Sequence, residues 1–433
     1  MGRELTRRYS SLFDKKDIRS LPQLLKSSLQ FAHGVYKSGK ISELASFIVW
    51  EAMHQLRLFA RSQYMTFSSA EALALSKEKV SSDEFTQKVI DLCSSRQLKV
   101  TRSAQKWKLM TIDENGDIWG CLYPNDNELY KSTDQGESIV FVSRFAEKIK
   151  AIYRSKQQTL FVCTKGAVFK SNNEKEPFKK CLELSTPESF FRHNNEMTET
   201  PEGLLIIGEY GNVWENGSWR KIAYLYFSHD GGTNWQRSDF LIRQGINKHV
   251  HIIRYCETLK RLVLADGDNK KKVWLSNTLE ESRLHEVGGW QPLNRTHIQM
   301  GGYISSAEVD GVLYLGTDYQ GGTNFMVTTK DGKHFDKQIV PDPYRRSPID
   351  NMGQRASKRG NEVWANLPYS TPRTKCLLMF TRDGGKSWER LFSYNGSTHK
   401  VWLLSSANGI ADQLFFSVEN LKTGERVVYQ VTD

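Results

Sequence analysis

The sequence predicts a mainly β chain built as a seven-bladed β-propeller with Asp-containing repeats, six blades being the alternative count, behind a small α-helical region. Three observations predict it. From Val100 onward, short apolar or aromatic runs alternate with Gly, Asn and Asp turns, as at 109–113, 118–122 and 204–208, which is the pattern of short, closely spaced strands. Four segments in that stretch are variants of one phrase. Their spacing fits a repeating unit of four short strands, the signature of a propeller. The division expected is 1–99 for the helical region and 100–433 for the propeller.

The helical region is read from spacing. Leu21, Leu24, Leu25, Leu29 and Phe31 recur at helical intervals around Pro22, and a stronger stripe follows at Leu44, Phe47, Ile48, Glu51, Ala52, Gln55, Leu56 and Phe59. Ser68 or Ser69 is expected to cap an Ala-rich helix, and Ser82 opens another through Phe85, Val89 and Leu92. The basic residues Lys37, Lys40, Arg57 and Arg61 beside an apolar face are compatible with peripheral membrane contact. A helical cap packed on its neighbour is the reading adopted.

The repeat carries the rest. The four copies are Ser132-Thr133-Asp134-Gln135-Gly136-Glu137-Ser138, Ser228-His229-Asp230-Gly231-Gly232-Thr233-Asn234-Trp235, Thr329-Lys330-Asp331-Gly332-Lys333-His334-Phe335 and Thr381-Arg382-Asp383-Gly384-Gly385-Lys386-Ser387-Trp388. An Asp accepts hydrogen bonds from the turn backbone, Gly supplies positive φ, and the closing aromatic is buried between blades. The Asp residues lie 96, 101 and 52 positions apart, a unit of about 50 residues with some copies degenerate. Ser171 and Ser276 fall where the missing copies belong, and an apolar run at 414–418 supplies a seventh blade.

Composition narrows the partners. An aromatic fraction of 11% in 433 residues excludes a disordered chain. No apolar run reaches the roughly 18 residues a membrane-spanning helix needs. A net charge of +11 favours anionic partners. Cys93, Cys121, Cys163, Cys181, Cys256 and Cys376 are scattered without a CxxC spacing, which fits a reducing compartment. The opening Met1-Gly2-Arg3-Glu4-Leu5-Thr6 has no secretory character and matches the loose myristoylation pattern, so a cytoplasmic, at most membrane-peripheral, location is expected. Lys270-Lys271-Lys272 and Arg345-Arg346 read as solvated loop tips, and no nucleic-acid partner is expected.

The Ser-x-Asp-x-Gly-x-Thr-Trp phrase resembles the Asp box of BNR-repeat propellers, the superfamily that includes sialidases, and the resemblance covers roughly residues 105–433. It implies a propeller whose Asp boxes are peripheral and structural. Members include sialidases, other glycosidases, polysaccharide lyases, sorting receptors and assembly factors, so fold alone does not assign an activity. A sialidase would carry an Arg-Ile-Pro type segment in the first blade. The nearby proline here is Pro124 in Leu122-Tyr123-Pro124-Asn125, so a true sialidase is not expected.

Candidate functional residues are sought where polar clusters flank the first two strands of each blade. Blade three offers Arg192, His193, Asn194, Asn195 and Glu196, then Glu209 and Tyr210; blade four offers His249, His251 and Arg254, then Asp266 and Asp268; blade five offers Tyr303, then Asp318 and Tyr319; blade six offers Arg355. Of these, His193, Glu209, Tyr210, His249, His251, Asp268, Asp318, Tyr319 and Arg355 are expected to converge on one mouth of the channel. His249 and His251, two apart on a strand, face one side. Aromatics that stack on sugars, beside charged groups and an overall positive balance, point to an acidic, uronate-containing polysaccharide. Proton abstraction at C5 needs a base near neutrality (His249 or His251), a proton donor (Tyr210 or Tyr319) and a cation for the carboxylate (Arg355, Arg254 or Arg192). Tyr210, Glu209 and the two histidines are the expected catalytic residues. His193, Asn195, Arg254, Asp268, Asp318, Tyr319 and Arg355 are the expected substrate-binding residues.

A lyase and a C5-epimerase share that first step. The alternatives are a glycoside hydrolase pairing Glu209 with Asp268 or Asp318, and a non-catalytic glycan- or protein-binding propeller. No cofactor is expected; Zn²⁺ or Mn²⁺ held by the histidines and carboxylates is the minor alternative, because no contiguous ligand motif is present.

Overall fold

The computed structural model describes residues 41–75, 82–173, 176–215, 218–246, 248–267, 272–293, 302–407 and 411–433, with positions 29, 32, 33, 35 and 36. The chain forms a seven-bladed β-propeller. Blade 1 comprises Trp107–Ile112, Ile118–Leu122, Glu128–Ser132 and Val140–Arg144; blade 2, Ala151–Arg154, Leu160–Cys163, Ala167–Ser171 and Lys179–Glu183; blade 3, Met197–Glu199, Leu205–Gly208, Leu225–Ser228 and Gln236–Ser238. Blade 4 comprises Val250–Cys256, Arg261–Asp266, Val273–Ser276 and Trp290–Pro292; blade 5, Tyr303–Val309, Val312–Thr317, Phe325–Thr329 and Asp336–Ile339; blade 6, Asn351–Arg355, Glu362–Leu367, Cys376–Thr381 and Glu389–Tyr394. Blade 7 takes His399–Leu403, Leu414–Asn420 and Arg426–Thr432 from the C-terminal end. Its outer strand, Lys99–Arg102, comes from before blade 1 and pairs antiparallel from Lys99 opposite Thr432 to Arg102 opposite Tyr429, which closes the ring.

The strands read as continuous apolar runs because neighbouring blades cover both their faces. Every residue of Leu205–Gly208 and of Cys376–Thr381 is buried.

Each copy of the repeat lies at the turn between the third and fourth strands. The Ser132 hydroxyl donates to Asp134 at 2.8 Å, the Gly136 N–H donates to Ser132 Oγ at 2.9 Å, and the Ser138 N–H donates to the Asp134 carboxylate. Ser228, Asp230 and Gly232 repeat this, as do Thr381, Asp383 and Gly385. Gly232 is at φ 78°, and a Cβ there would meet the Phe161 ring at 2.5 Å, so this position accepts only glycine. Ser171 and Ser276 end the third strands of blades 2 and 4, at the same topological position, with other partners. Ser171 donates to the Asn173 carbonyl, and Ser276 Oγ accepts from the Leu262 N–H.

The N-terminal region lies against the outer rim. Helix α1 (Ile41–Gln55) packs Trp50 onto Phe59 and edge-on to Phe325. Helix α2 (Ser82–Ser95) buries Val89 and Cys93 against Phe392, Phe416 and Tyr429 of blades 6 and 7. Two expectations are corrected here. The stretch behind Ser68 is not helical over 70–75: Leu73–Ala74 forms a short strand parallel to the outer strand of blade 6. The Met65 and Ser68 N–H groups donate to Ile339 and Trp388, so exposed edge carbonyls of blades 5 and 6 claim this backbone. Arg345 is not a solvated loop tip either. It is 1% exposed and pairs with Glu51 of α1, as Arg346 does at 2.8 Å. Leu21, Leu24, Leu25, Phe31, Lys37, Lys40, Lys270 and Lys271, and the side chains of Leu44 and Phe47, lie outside the described residues. Among the described residues no helix is long and apolar enough to cross a membrane.

Candidate functional site

The inner strands of the seven blades surround a central channel, and the segment entering blade 3 crosses it. The His193 ring accepts from the Ile152 N–H through Nδ1 at 3.3 Å and donates through Nε2 to the Met110 carbonyl at 2.8 Å, which ties it to blades 2 and 1. Its burial pushes the pKa down to about 4, so the ring is neutral. Asn194, at φ 81°, reaches the Ser405 carbonyl between the first two strands of blade 7. Asn195 donates to the Ile304 carbonyl of blade 5 at 3.2 Å. Arg192 donates to Ile304 and to the Asp350 carbonyl ahead of blade 6, with the Asp350 carboxylate at 3.8 Å. The Asn195 carbonyl accepts from the Ile253 N–H of blade 4, so consecutive residues plug the channel by bonding to all six other blades.

Glu196 anchors the plug. It is fully buried, its Oε2 accepts the Arg192 N–H, and its Oε1 has no hydrogen-bond partner. Burial, opposed by Arg192, raises its carboxyl pKa well above the ordinary range.

At the mouth where the inner strands begin, Tyr210 leaves the second strand of blade 3 and exchanges backbone hydrogen bonds with Phe190. Its partly exposed ring lies 4.1 Å from the His249 ring, 6.1 Å from the His251 ring and 5.4 Å from the Arg192 guanidinium. His249 and His251 do face one side, although a register shift between Val250 and Ile252 interrupts the pairing. Both are fully buried and their Nε2 atoms are 3.0 Å apart. Nδ1 of His249 bonds the Gly211 carbonyl and Nδ1 of His251 the Tyr303 carbonyl. A Cβ at Gly267 would come within 2.3 Å of the His249 ring, so glycine lets the pair press against that backbone.

Burial lowers the pKa of Arg192, but Asp350, Glu196, Tyr210 and Asp318 outweigh it and leave the pKa raised. Asp318 therefore belongs to this neighbourhood. Tyr319 beside it is buried, its ring against Gly322 and its backbone held by the Asn324 side chain.

The structure separates the remaining predicted residues from the mouth. Glu209 is fully buried, accepting from Ser185 N–H and Oγ and from the Tyr226 hydroxyl; burial nonetheless raises its pKa. Arg254 points to the far side of the plug and donates to Ser306 and Gln354. Arg355 is the last residue of its strand, hence at the opposite end of the blade, and is buried against Glu362 and Asp433. Asp268 lies outside the described residues. Beyond the plug lies a cavity of about 1060 Å³, lined at the far ends of the inner strands by Tyr153, Arg154, Glu199, Arg254, Glu308 and Gln354. Among the described residues no group of three His, Cys, Asp or Glu side chains is placed to hold a metal.

Sequence reasoning missed Asp350 and gave Glu196, although it lies in the polar run, no role. The five-residue polar run 192–196 signalled something unusual ahead of a strand, but its partners lie on other blades.

No protein-family model and no curated protein matches the chain. Among solved structures it is similar to a streptogramin B lyase, at 13% identity and TM-score 0.48, over 77% of this chain and 96% of that one. It is similar to YCF48 bound to D1 peptide, at 12% identity and TM-score 0.46, over 78% and 97%. It is also similar to the GH74 xyloglucanase from Xanthomonas campestris, at 15% identity and TM-score 0.45, over 68% and 47%. At such identities and TM-scores these likenesses assign no activity to the chain.

Proposed function

We propose that the mouth around Tyr210 acts on an acidic, uronate-containing glycan by moving the proton at C5, as a polysaccharide lyase or a uronate C5-epimerase. The observation that carries this is the joint placement of Arg192 and Tyr210, a guanidinium 5.4 Å from a partly exposed phenol ring at the channel mouth.

Arg192 exchanges its 3.8 Å contact with Asp350 for the uronate carboxylate. That neutralisation stabilises the enolate left when the C5–H bond breaks. Tyr210 Oη, deprotonated, takes the proton. The histidines do not, because all four of their ring nitrogens are already engaged. They hold the ring from behind. In the lyase the C4–O4 bond breaks as the C4=C5 bond forms, and the proton goes to O4. In the epimerase water on the opposite face gives a proton to C5, and Tyr210 releases the proton it took to solvent, which restores the phenolate. Glu209, enclosed by Ser185 and Tyr226, is not offered as a mouth carboxylate, which places the hydrolase behind these readings. The four Asp turns are read as the peripheral Asp boxes of this superfamily.

Proton NMR of the protein with a panel of acidic polysaccharides in heavy water tests the reading. An unsaturated uronate signal identifies the lyase, and loss of H5 intensity without cleavage the epimerase. A new reducing end without unsaturation overturns proton transfer in favour of hydrolysis, and no change with any glycan overturns it in favour of binding.

A further inference from the structure

We infer that the cavity beyond the plug is a second binding site, which takes a flexible chain of alkylammonium groups through the Glu199 carboxylate. The plug separates this site from the Tyr210 mouth, and nothing in it rests on the reaction proposed there. Its volume of about 1060 Å³ is enough for an extended small molecule. Although the chain carries a net charge of +11, seven acidic side chains line this cavity against four basic ones.

Much of that acidity is matched within the protein. Asp113 pairs with Arg154 at 3.3 Å and accepts the Trp119 indole N–H, and Glu308 accepts the Glu257 and Thr258 N–H groups. Glu199 is different. It ends the inner strand of blade 3, is 6% exposed and lines the cavity, and its Oε2 accepts the Lys156 N–H at 2.7 Å. Among the described residues no Lys, Arg or His side chain stands within 4 Å of its carboxylate. Arg254, which reaches the same cavity, is turned to the Ser306 carbonyl and the Gln354 side chain on blades 5 and 6. A buried carboxylate without a cation is costly, and a bound cation removes that cost.

Tyr153 supplies the second unmatched group. It is 9% exposed and lines the same cavity, and among the described residues its hydroxyl has no hydrogen-bond partner. Burial and the Glu199 charge, opposed by Arg254, push its pKa up, so the phenol keeps its proton and offers oxygen lone pairs. Both unmatched groups accept, so the ligand donates and is positive. The other carboxylates stand apart on the hairpins of different blades, Glu114 in blade 1, Asp310 in blade 5 and Asp412 in blade 7. Among the described residues no three of them gather closely enough to hold a metal ion. Separated charges fit ammonium groups spaced along a chain, the chemistry of a polyamine or of a run of lysines, better than one compact ion.

Isothermal titration calorimetry of the full chain with spermine, and separately with an end-capped tetralysine peptide, tests this. One ligand per chain is expected. Tighter binding of spermine identifies a free polyamine, and tighter binding of tetralysine a basic protein segment. Glu199→Gln keeps an oxygen for the Lys156 N–H but removes the charge, so Kd should rise roughly tenfold or more. Asp310→Asn, at the exposed rim, should raise it by no more than about fivefold. Should Glu199→Gln fail to fold, hydrogen exchange on the parent gives the same test. Spermine should then slow the amides of Lys156, Glu257 and Thr258, which bond carboxylates lining the cavity. No binding of either ligand, an unchanged Kd in Glu199→Gln, or no such protection overturns the inference. Equal weakening in the two variants also overturns it, in favour of diffuse attraction to the rim. Every outcome is read without an acidic glycan, so failure here is distinct from failure of the proposed reaction.

Discussion

The Arg192 guanidinium lies 5.4 Å from the Tyr210 ring centroid while donating to the carbonyls of Ile304 and Asp350. One side chain therefore joins the channel plug to the mouth. Its removal perturbs both, so the two functions need separate variants.

Tyr210→Phe keeps the ring between Arg192 and His249 and removes only the hydroxyl. Unfolding free energy is expected within about 0.5 kcal/mol of the parent, and turnover on an acidic glycan is expected to fall roughly 10²- to 10⁴-fold. Denaturant melts and initial rates check this. An unchanged rate would remove Tyr210 from the chemistry.

Arg192→Lys keeps a charge but loses the planar fork that meets a carboxylate with two parallel bonds. The parent is expected to prefer a free uronate over its methyl ester by about tenfold or more in kcat/KM, which corresponds to about 1.4 kcal/mol of transition-state binding. In the variant that preference should collapse. Retained discrimination would mean that the carboxylate is bound elsewhere.

Much of the fold was legible in the sequence because its information is local. A Ser or Thr, an Asp two residues on and a glycine close a turn by themselves, and the Gly232 contact with Phe161 shows why the glycine is required. The facing of His249 and His251 was legible for the same reason, two residues apart on one strand. The plug was not. Its bonds from 192–195 reach Met110, Ile304, Asp350 and Ser405 across separations of 83 to 211 residues. Polarity likewise says nothing about the end of a strand at which a residue sits, which is why Arg355 was grouped with a mouth it does not reach.

Glu51→Ala should detach α1 from the rim. Arg345 is 1% exposed and its guanidinium spends Nη1 and Nη2 on Glu51, leaving Thr323 and Asp342 as its other side-chain partners. Stranding a buried charge costs about 3–5 kcal/mol, and Asp342 should hold the loss near the low end. Urea unfolding reads the loss, and faster proteolytic cleavage near residues 57–63 is expected with it. A midpoint unchanged from the parent would show that α1 is held by Trp50 and Phe59 alone.

Acid should destabilise the protein in two windows. His193 is held at about 4, below its ordinary 6.5, by burial. The unfolded chain therefore binds a proton first, and stability drops as pH falls from about 6.5 to about 4. The turn hydrogen bonds from Ser138 hold Asp134 at about 2 against an ordinary 3.8, and those from the Asn234 and His334 backbone lower Asp230 and Asp331 further. Their contribution, present above about 3.8, is lost as pH falls through these lower values. The lower decline should show in urea midpoints down to pH 2. The His193 term should show in the difference between parent and His193→Gln midpoints from pH 7 to pH 4, because Glu196 acts with the opposite sign over that range. His193→Gln should make the upper decline shallower without touching the lower one, the remainder coming from His399, whose pKa burial also lowers. A variant that keeps the full slope would place its origin outside the plug.

Glu196 gives the opposite sign. Burial raises its carboxyl above the ordinary 4.5, the Arg192 N–H satisfies only Oε2, and Oε1 has no partner. The folded protein then keeps a proton that the unfolded chain has released, and this term lowers stability as pH rises above about 4.5. Glu196→Gln mimics the protonated acid in shape and keeps an oxygen for the Arg192 N–H, but never has to be neutralised. It should be more stable than the parent at pH 7, with the gain shrinking to nothing near pH 4, by urea unfolding at each pH. A variant less stable at every pH would show instead that Glu196 is ionised in the fold and that its charge supports Arg192.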